Sequence, residues 1–205
     1  MEMIDISTTI VLGLTLILAF IGGEVKAFRV SYIALSLYGV LIGIALSFHS
    51  LLVGLAAILV VSVITPLFIR WLLIKTKISS EPPSEGIMGK APFALITSIL
   101  TMLLLYDIGV KLMDLVIGTA LAAYGLTLLV SKNNLIKFIL GIVYMHTGIS
   151  LFTSILYPVS FLTSLFEASC YIILLIFVAL FTYFTATFYS KSSTILSRDL
   201  TKLRW

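Results

Sequence analysis

The chain has 205 residues, of which 60% are hydrophobic and 11% charged, with a mean hydropathy of +1.21; soluble globular domains carry about 25% charged residues. That composition excludes a soluble enzyme and points to a polytopic membrane protein, with room for at most about seven or eight short-looped spans. The net charge of +4 is spread over short inter-helix loops rather than gathered in one patch, so it reads as topology signalling and not as nucleic-acid binding. One cysteine, Cys170, excludes an internal disulfide, and no Cys/His cluster has metal-ligand spacing.

Apolar runs punctuated by charges predict seven helices, at about residues 6–23, 30–48, 51–74, 92–106, 112–130, 135–157 and 166–189. The first follows "MEMIDISTT", whose two acids and absence of basic residues are unlike the positive start of a cleaved signal peptide. It ends at "GGEVKAFR", where Glu24, Lys26 and Arg29 form a turn of the kind that anchors and orients a span; Glu24 and Lys26 are also proton-transfer candidates. The second span carries Gly39 and Gly43 in a GxxxG, extended by Ser36 and Ser47 into a stripe suited to close packing. The third contains "VITPLF", a proline kink at Pro66 without a mid-span counterpart later in the chain, which counts against a stand-alone inverted-repeat transporter.

"KTKISSEPPSEGIMGKAP" is too rich in Pro, Ser and Gly for helix. It separates a three-helix module, residues 1–78, from a four-helix module, residues 92–189, through a cytoplasmic loop at 79–91. The fourth span, "PFALITSILTMLLLY", is the shortest. After it, "YDIGVKLMD" spaces Asp107, Lys111 and Asp114 at i, i+4 and i, i+3, as a self-paired solvated loop or as the outer mouth of a proton path. A basic tail, residues 190–205, is amphipathic enough to lie on the membrane surface or on another subunit.

Seven spans place Lys26, Arg29, Arg70, Lys75, Lys77, Lys90, Lys132, Lys137, Lys191, Arg198, Lys202 and Arg204 on one side and Lys111 alone on the other. Cytoplasmic loops collect Lys and Arg, so the expected topology has the N-terminus outside and the C-terminus in the cytoplasm.

The sixth span, "KNNLIKFILGIVYMHTGISLF", holds His146 eleven residues beyond Leu135, about 16 Å into a hydrocarbon core about 30 Å thick. Ile139, Ser150, Thr153 and Tyr157 share its face, while Gly141, Tyr144 and Gly148 lie opposite. Both faces should therefore be buried against protein. Two readings of His146 stand: a proton carrier, since its ordinary pKa is close to neutrality, or a neutral imidazole hydrogen-bonded to a neighbouring helix. Glu167, at the outer end of the last span, is either a partner of the helix dipole or a functional acid. No P-loop, dinucleotide fingerprint or nucleophile constellation is present.

Several stretches resemble the hydrogenase-4 component E family, membrane subunits of complex I-like, group 4 membrane-bound hydrogenase and formate hydrogenlyase assemblies. They are "VKAFR", "ITPLFIRWLL", "KNNLIKFILGIVYMHTG" and the ending "TILSRDLTKLRW", spread over nearly the whole chain. The segment around "KNNLIKFILGI" is also similar to the K-type subunit of complex I and the C-type subunit of Mrp antiporters, which makes the last three spans K-like. The resemblance implies a multi-pass subunit of a prokaryotic plasma membrane with no activity of its own, among antiporter-like and other membrane subunits. The nickel–iron site and iron–sulfur clusters would belong to those partners, and none to this chain. The chain departs from the family pattern where "YMHTG" stands in place of a "LMENG"-like context, where Val61 replaces a buried lysine, and where residues 169–187 lack a charge. Three titratable positions are thereby reduced to His146. The rival readings are a subunit of an Mrp-type cation/proton antiporter and an independent small transporter.

Overall fold

The computed structural model describes residues 2–77, 112–131, 134–156 and 160–192. The predicted fourth span, the 79–91 loop, Asp107, Lys111 and residues 193–205 of the tail lie outside the described residues. Within them the chain is helical, with no strand: α1 Glu2–Glu24, α2 Phe28–Ser47, α3 Leu51–Thr76, α4 Leu112–Ser131, α5 Leu135–Leu156 and α6 Phe161–Ser192. Four of these, α2, α3, α5 and α6, are long and apolar enough to cross a membrane; Ile10–Glu24 of α1 and Leu115–Val130 of α4 are shorter apolar helices. Large apolar side chains face outward along the bundle, among them Leu55, Leu59, Leu67, Ile172, Ile176 and Leu180. Water does not tolerate an apolar surface of that extent, whereas hydrocarbon does.

The α3 helix contains a π-helical stretch, Ile58–Ile64, between Leu51–Ala57 and Thr65–Thr76. Pro66 follows at once, and because it offers no N–H, the helix must change its hydrogen-bond register just ahead of it. Thr65 Oγ1 donates to the Val60 carbonyl at 2.8 Å and satisfies one of the acceptors involved. The predicted proline irregularity is thus taken up by widened turns. The GxxxG of α2 packs against them: a Cβ on Gly39 would lie 2.5 Å from Ser62 N and 2.7 Å from Ser62 Cα, so only hydrogen allows this approach.

The closest-packed pair among the described helices is α4 and α5. A Cβ on Gly148 would lie 2.5 Å from Ala122 N and 2.6 Å from the Gly118 carbonyl. The glycine face of α5 is therefore a backbone-to-backbone contact, as its spacing predicts. The opposite face meets α6 only sparsely, because α6 packs chiefly along α3. Among the described residues a groove stays open between α5 and α6.

The last helix also starts earlier than its apolar run implies. Ser160 N donates to Thr163 Oγ1 at 2.9 Å, and Thr163 N donates to Ser160 Oγ at 3.2 Å. This reciprocal cap opens α6 at Phe161 instead of at residue 166.

Candidate functional site

The α5–α6 groove has a volume of about 1150 Å³. Its walls are mostly apolar, with Ile142, Ile149, Phe166 and Ile173 among them, and a polar line of His146, Ser150, Thr153 and Glu167 runs through it. One helical turn separates His146 from Ser150 and nearly another leads to Thr153, about 10 Å in all. The His146 ring stands edge-on to Tyr171, with centroids 4.7 Å apart and planes at 73°. Its Nδ1 is buried and has no hydrogen-bond partner among the described residues. A buried ring nitrogen left unmatched costs free energy, so this atom marks a place for water, a ligand or a group from another chain.

Thr153 Oγ1 donates to Glu167 Oε1 at 2.9 Å and tethers the carboxylate to α5. Because α6 begins at Phe161, Glu167 sits nearly two turns inside the helix and beyond the free N–H groups of its first turn. Its position is that of an acid in the groove and not of a helix-dipole partner. Glu167 also lines a small pocket with His49, Thr153, Ser154, Thr163 and Ser164, closed by Leu46 and Val53. His49 lies in the turn between α2 and α3, and no periodicity in the sequence marked it. Glu167 thus lines both the groove that holds His146 and the small pocket that holds His49.

A second polar cluster lies at the other end of α5, around the α1–α2 turn. Tyr124 OH donates to Glu24 Oε1 at 3.0 Å. Lys137 is fully buried and its Nζ donates to the Gly22 carbonyl at 2.8 Å, the Val25 carbonyl at 2.7 Å and Ser31 Oγ at 2.9 Å. All three ammonium protons are matched. The two carbonyls belong to the C-terminal end of α1, where a cation is favoured. The expected surface anchor is therefore an interior staple tying α5 to the α1–α2 turn. Lys137 shares the i, i+4, i+7, i+11 stripe of Gly141, Tyr144 and Gly148, and that spacing was the signal for its burial. Lys26, by contrast, is exposed and takes no part.

Between the two clusters stand four fully buried tyrosines, each from a different helix: Tyr38, Tyr124, Tyr144 and Tyr171. The Tyr124 and Tyr144 rings stack at 6.1 Å, Tyr144 meets Tyr38 edge-on at 4.8 Å, and the Tyr38 hydroxyl hydrogen-bonds Thr147. The hydroxyls of Tyr144 and Tyr124 lie over Gly22 and Gly23, where a Cβ would collide with them. Hydroxyl groups are costly to bury in apolar surroundings, yet tyrosine rather than phenylalanine fills all four places. Asp114 lies in the first turn of α4, apart from both clusters along the chain.

His146, Ser150 and Thr153 follow one another along one face of α5, and Thr153 bonds the Glu167 carboxylate of α6; such groups can pass protons, since each hydroxyl both donates and accepts. Among the described residues no group of three or more His, Cys, Asp or Glu could hold a metal. Comparison with protein families, characterised proteins and solved structures finds no match for this chain.

Proposed function

We propose that the chain is a non-catalytic membrane subunit of a complex I-like, hydrogenase-type respiratory assembly coupling redox chemistry to proton or sodium translocation. Seven spans with the N-terminus outside belong to this reading, as does a place in a prokaryotic plasma membrane. The subunit is a scaffold, and its α5–α6 groove contributes His146 and Glu167 to the proton-transfer axis. The observation that carries the reading is the unmatched His146 Nδ1 in a groove of one open side, lined by Ser150, Thr153 and Glu167. A polar line confined to one open groove suits a subunit completed by neighbours. Intramembrane ionisable groups of this kind mark ion and proton pathways. The family-like stretches, from "VKAFR" to "TILSRDLTKLRW", supply the kind of neighbour expected: antiporter-like membrane subunits and a redox module bearing nickel–iron and iron–sulfur centres.

Two measurements test the proposal. Purification from native membranes in a mild detergent should yield a stoichiometric complex with antiporter-like and redox subunits. Recovery of a lone chain that transports a solute after reconstitution would instead establish the independent transporter, and antiporter subunits without any redox partner the Mrp-type reading. Within the intact complex, His146→Ala should lower redox-driven proton pumping by about 100-fold, the scale of losing one positioned proton-transfer group. Undiminished pumping with intact assembly would leave His146 a packing residue.

A further inference from the structure

At the end of the bundle away from the Glu167 pocket, the start of α2 and the end of α3 enclose a separate cleft of about 760 Å³. Arg29, Arg70, Lys77 and Tyr32 line its polar side, and Ile33 and Ile74 its rim. No carboxylate lines it among the described residues. Ile33 and Ile74 are 51% and 68% exposed and join the cleft to the apolar exterior of the bundle. Lys77 ends α3 in the left-handed conformation, with φ 55°, so its side chain leaves the helix at the level of Arg29 in the first turn of α2.

We propose that this cleft binds the phosphate headgroup of an anionic phospholipid, with the acyl chains lying over Ile33 and Ile74. Three cations from two helices around one cavity repel each other, and that repulsion is relieved by an anion they share. Two guanidinium groups present planar donor forks that match phosphate oxygens, and the lysine adds a mobile point charge. Helix ends lie at the headgroup layer of a bilayer, where basic pockets between spans capture anionic lipids. The tyrosine at the same level offers a hydroxyl suited to that interface. The apolar rim distinguishes such a ligand from free phosphate, which has nothing to place there. The charge bias assigns this end to the cytoplasmic leaflet. The inference needs only that the helices cross a membrane and stands apart from the hydrogenase-type assembly.

The full chain is reconstituted in nanodiscs of phosphatidylcholine with and without phosphatidylglycerol, and native mass spectrometry counts the lipids it retains on release. Wild-type protein should retain phosphatidylglycerol and not phosphatidylcholine. The double variant Arg29→Gln, Arg70→Gln should lower retention by roughly 30-fold, from the loss of two interfacial cations. Lys77→Gln, at an exposed helix end and so benign to folding, should lower it by roughly fivefold. Lys75→Gln removes the same charge outside the cleft and should leave retention unchanged. Inorganic phosphate should not displace the lipid; displacement would make this a phosphate site and overturn the lipid assignment. Retention unaffected by the arginine and Lys77 changes, or lowered as much by Lys75→Gln, would overturn the site itself.

Discussion

Lys137 shows how a single residue is governed by its partners. An ammonium group cannot remain inside a helix bundle unmatched, and here the Gly22 and Val25 carbonyls and Ser31 Oγ take all its protons. Lys137→Met keeps the aliphatic length but strands three acceptors, and it should lower the unfolding free energy by about 3 kcal/mol. Reversible unfolding in mixed micelles checks this, and an unchanged midpoint would show that the staple carries no stability. Tyr38→Phe asks the same question of a neutral group. It keeps the edge-on contact with Tyr144 and removes only the bond to Thr147, which still donates to the Val143 carbonyl at 2.9 Å. A loss of about 1 kcal/mol is expected, in the same assay.

Helix pairs are set by backbone approach more than by side-chain bulk. Gly148 touches the α4 backbone at Ala122 and Gly118, so Gly148→Leu must push the two helices apart and should destabilise the protein by about 3 kcal/mol. Gly13 is the matched control, because a Cβ placed there meets nothing within 4 Å. Gly13→Leu should leave the melting temperature in place, and an equal loss in both variants would show that helix propensity and not packing was being measured. The start of α6 is a property of the element as well: Ser160→Ala removes one half of its reciprocal cap and should cost about 1 kcal/mol.

For the molecule as a whole, the decisive quantity is which way the helices cross. In a Cys170→Ser background, Lys26→Cys and Ser160→Cys place single thiols at exposed positions at opposite ends of the bundle. A membrane-impermeant maleimide applied outside intact cells should label Ser160→Cys and leave Lys26→Cys untouched until the membrane is broken. The reverse pattern would invert the topology, and with it the leaflet assigned to the basic cleft. The exterior of the bundle and the groove beside α6 are of one piece among the described residues, since α6 packs along α3 and much of its remaining surface is exposed.

The long apolar runs and the small-residue stripes were legible in the sequence because both follow from local rules: hydrocarbon demands about 20 apolar residues per span, and close packing demands glycine at helical spacing. Six described helices coincide with predicted runs, and the Gly141–Gly148 face packs where the spacing placed it. The polar face of His146, with Ser150 and Thr153, was likewise a matter of 100° per residue. What lay across from that face was not, because partners far apart in the chain meet only when helices choose neighbours. Glu167 enters the groove on a helix that a cap at Ser160 and Thr163 starts early, and His49 of the α2–α3 turn shares a separate small pocket with it. Lys137 carries a charge that composition assigns to the surface, yet the carbonyls of α1 wait for it in the interior. Periodicity determined which residues share a face; only the packing of one helix on another decided which faces share a site.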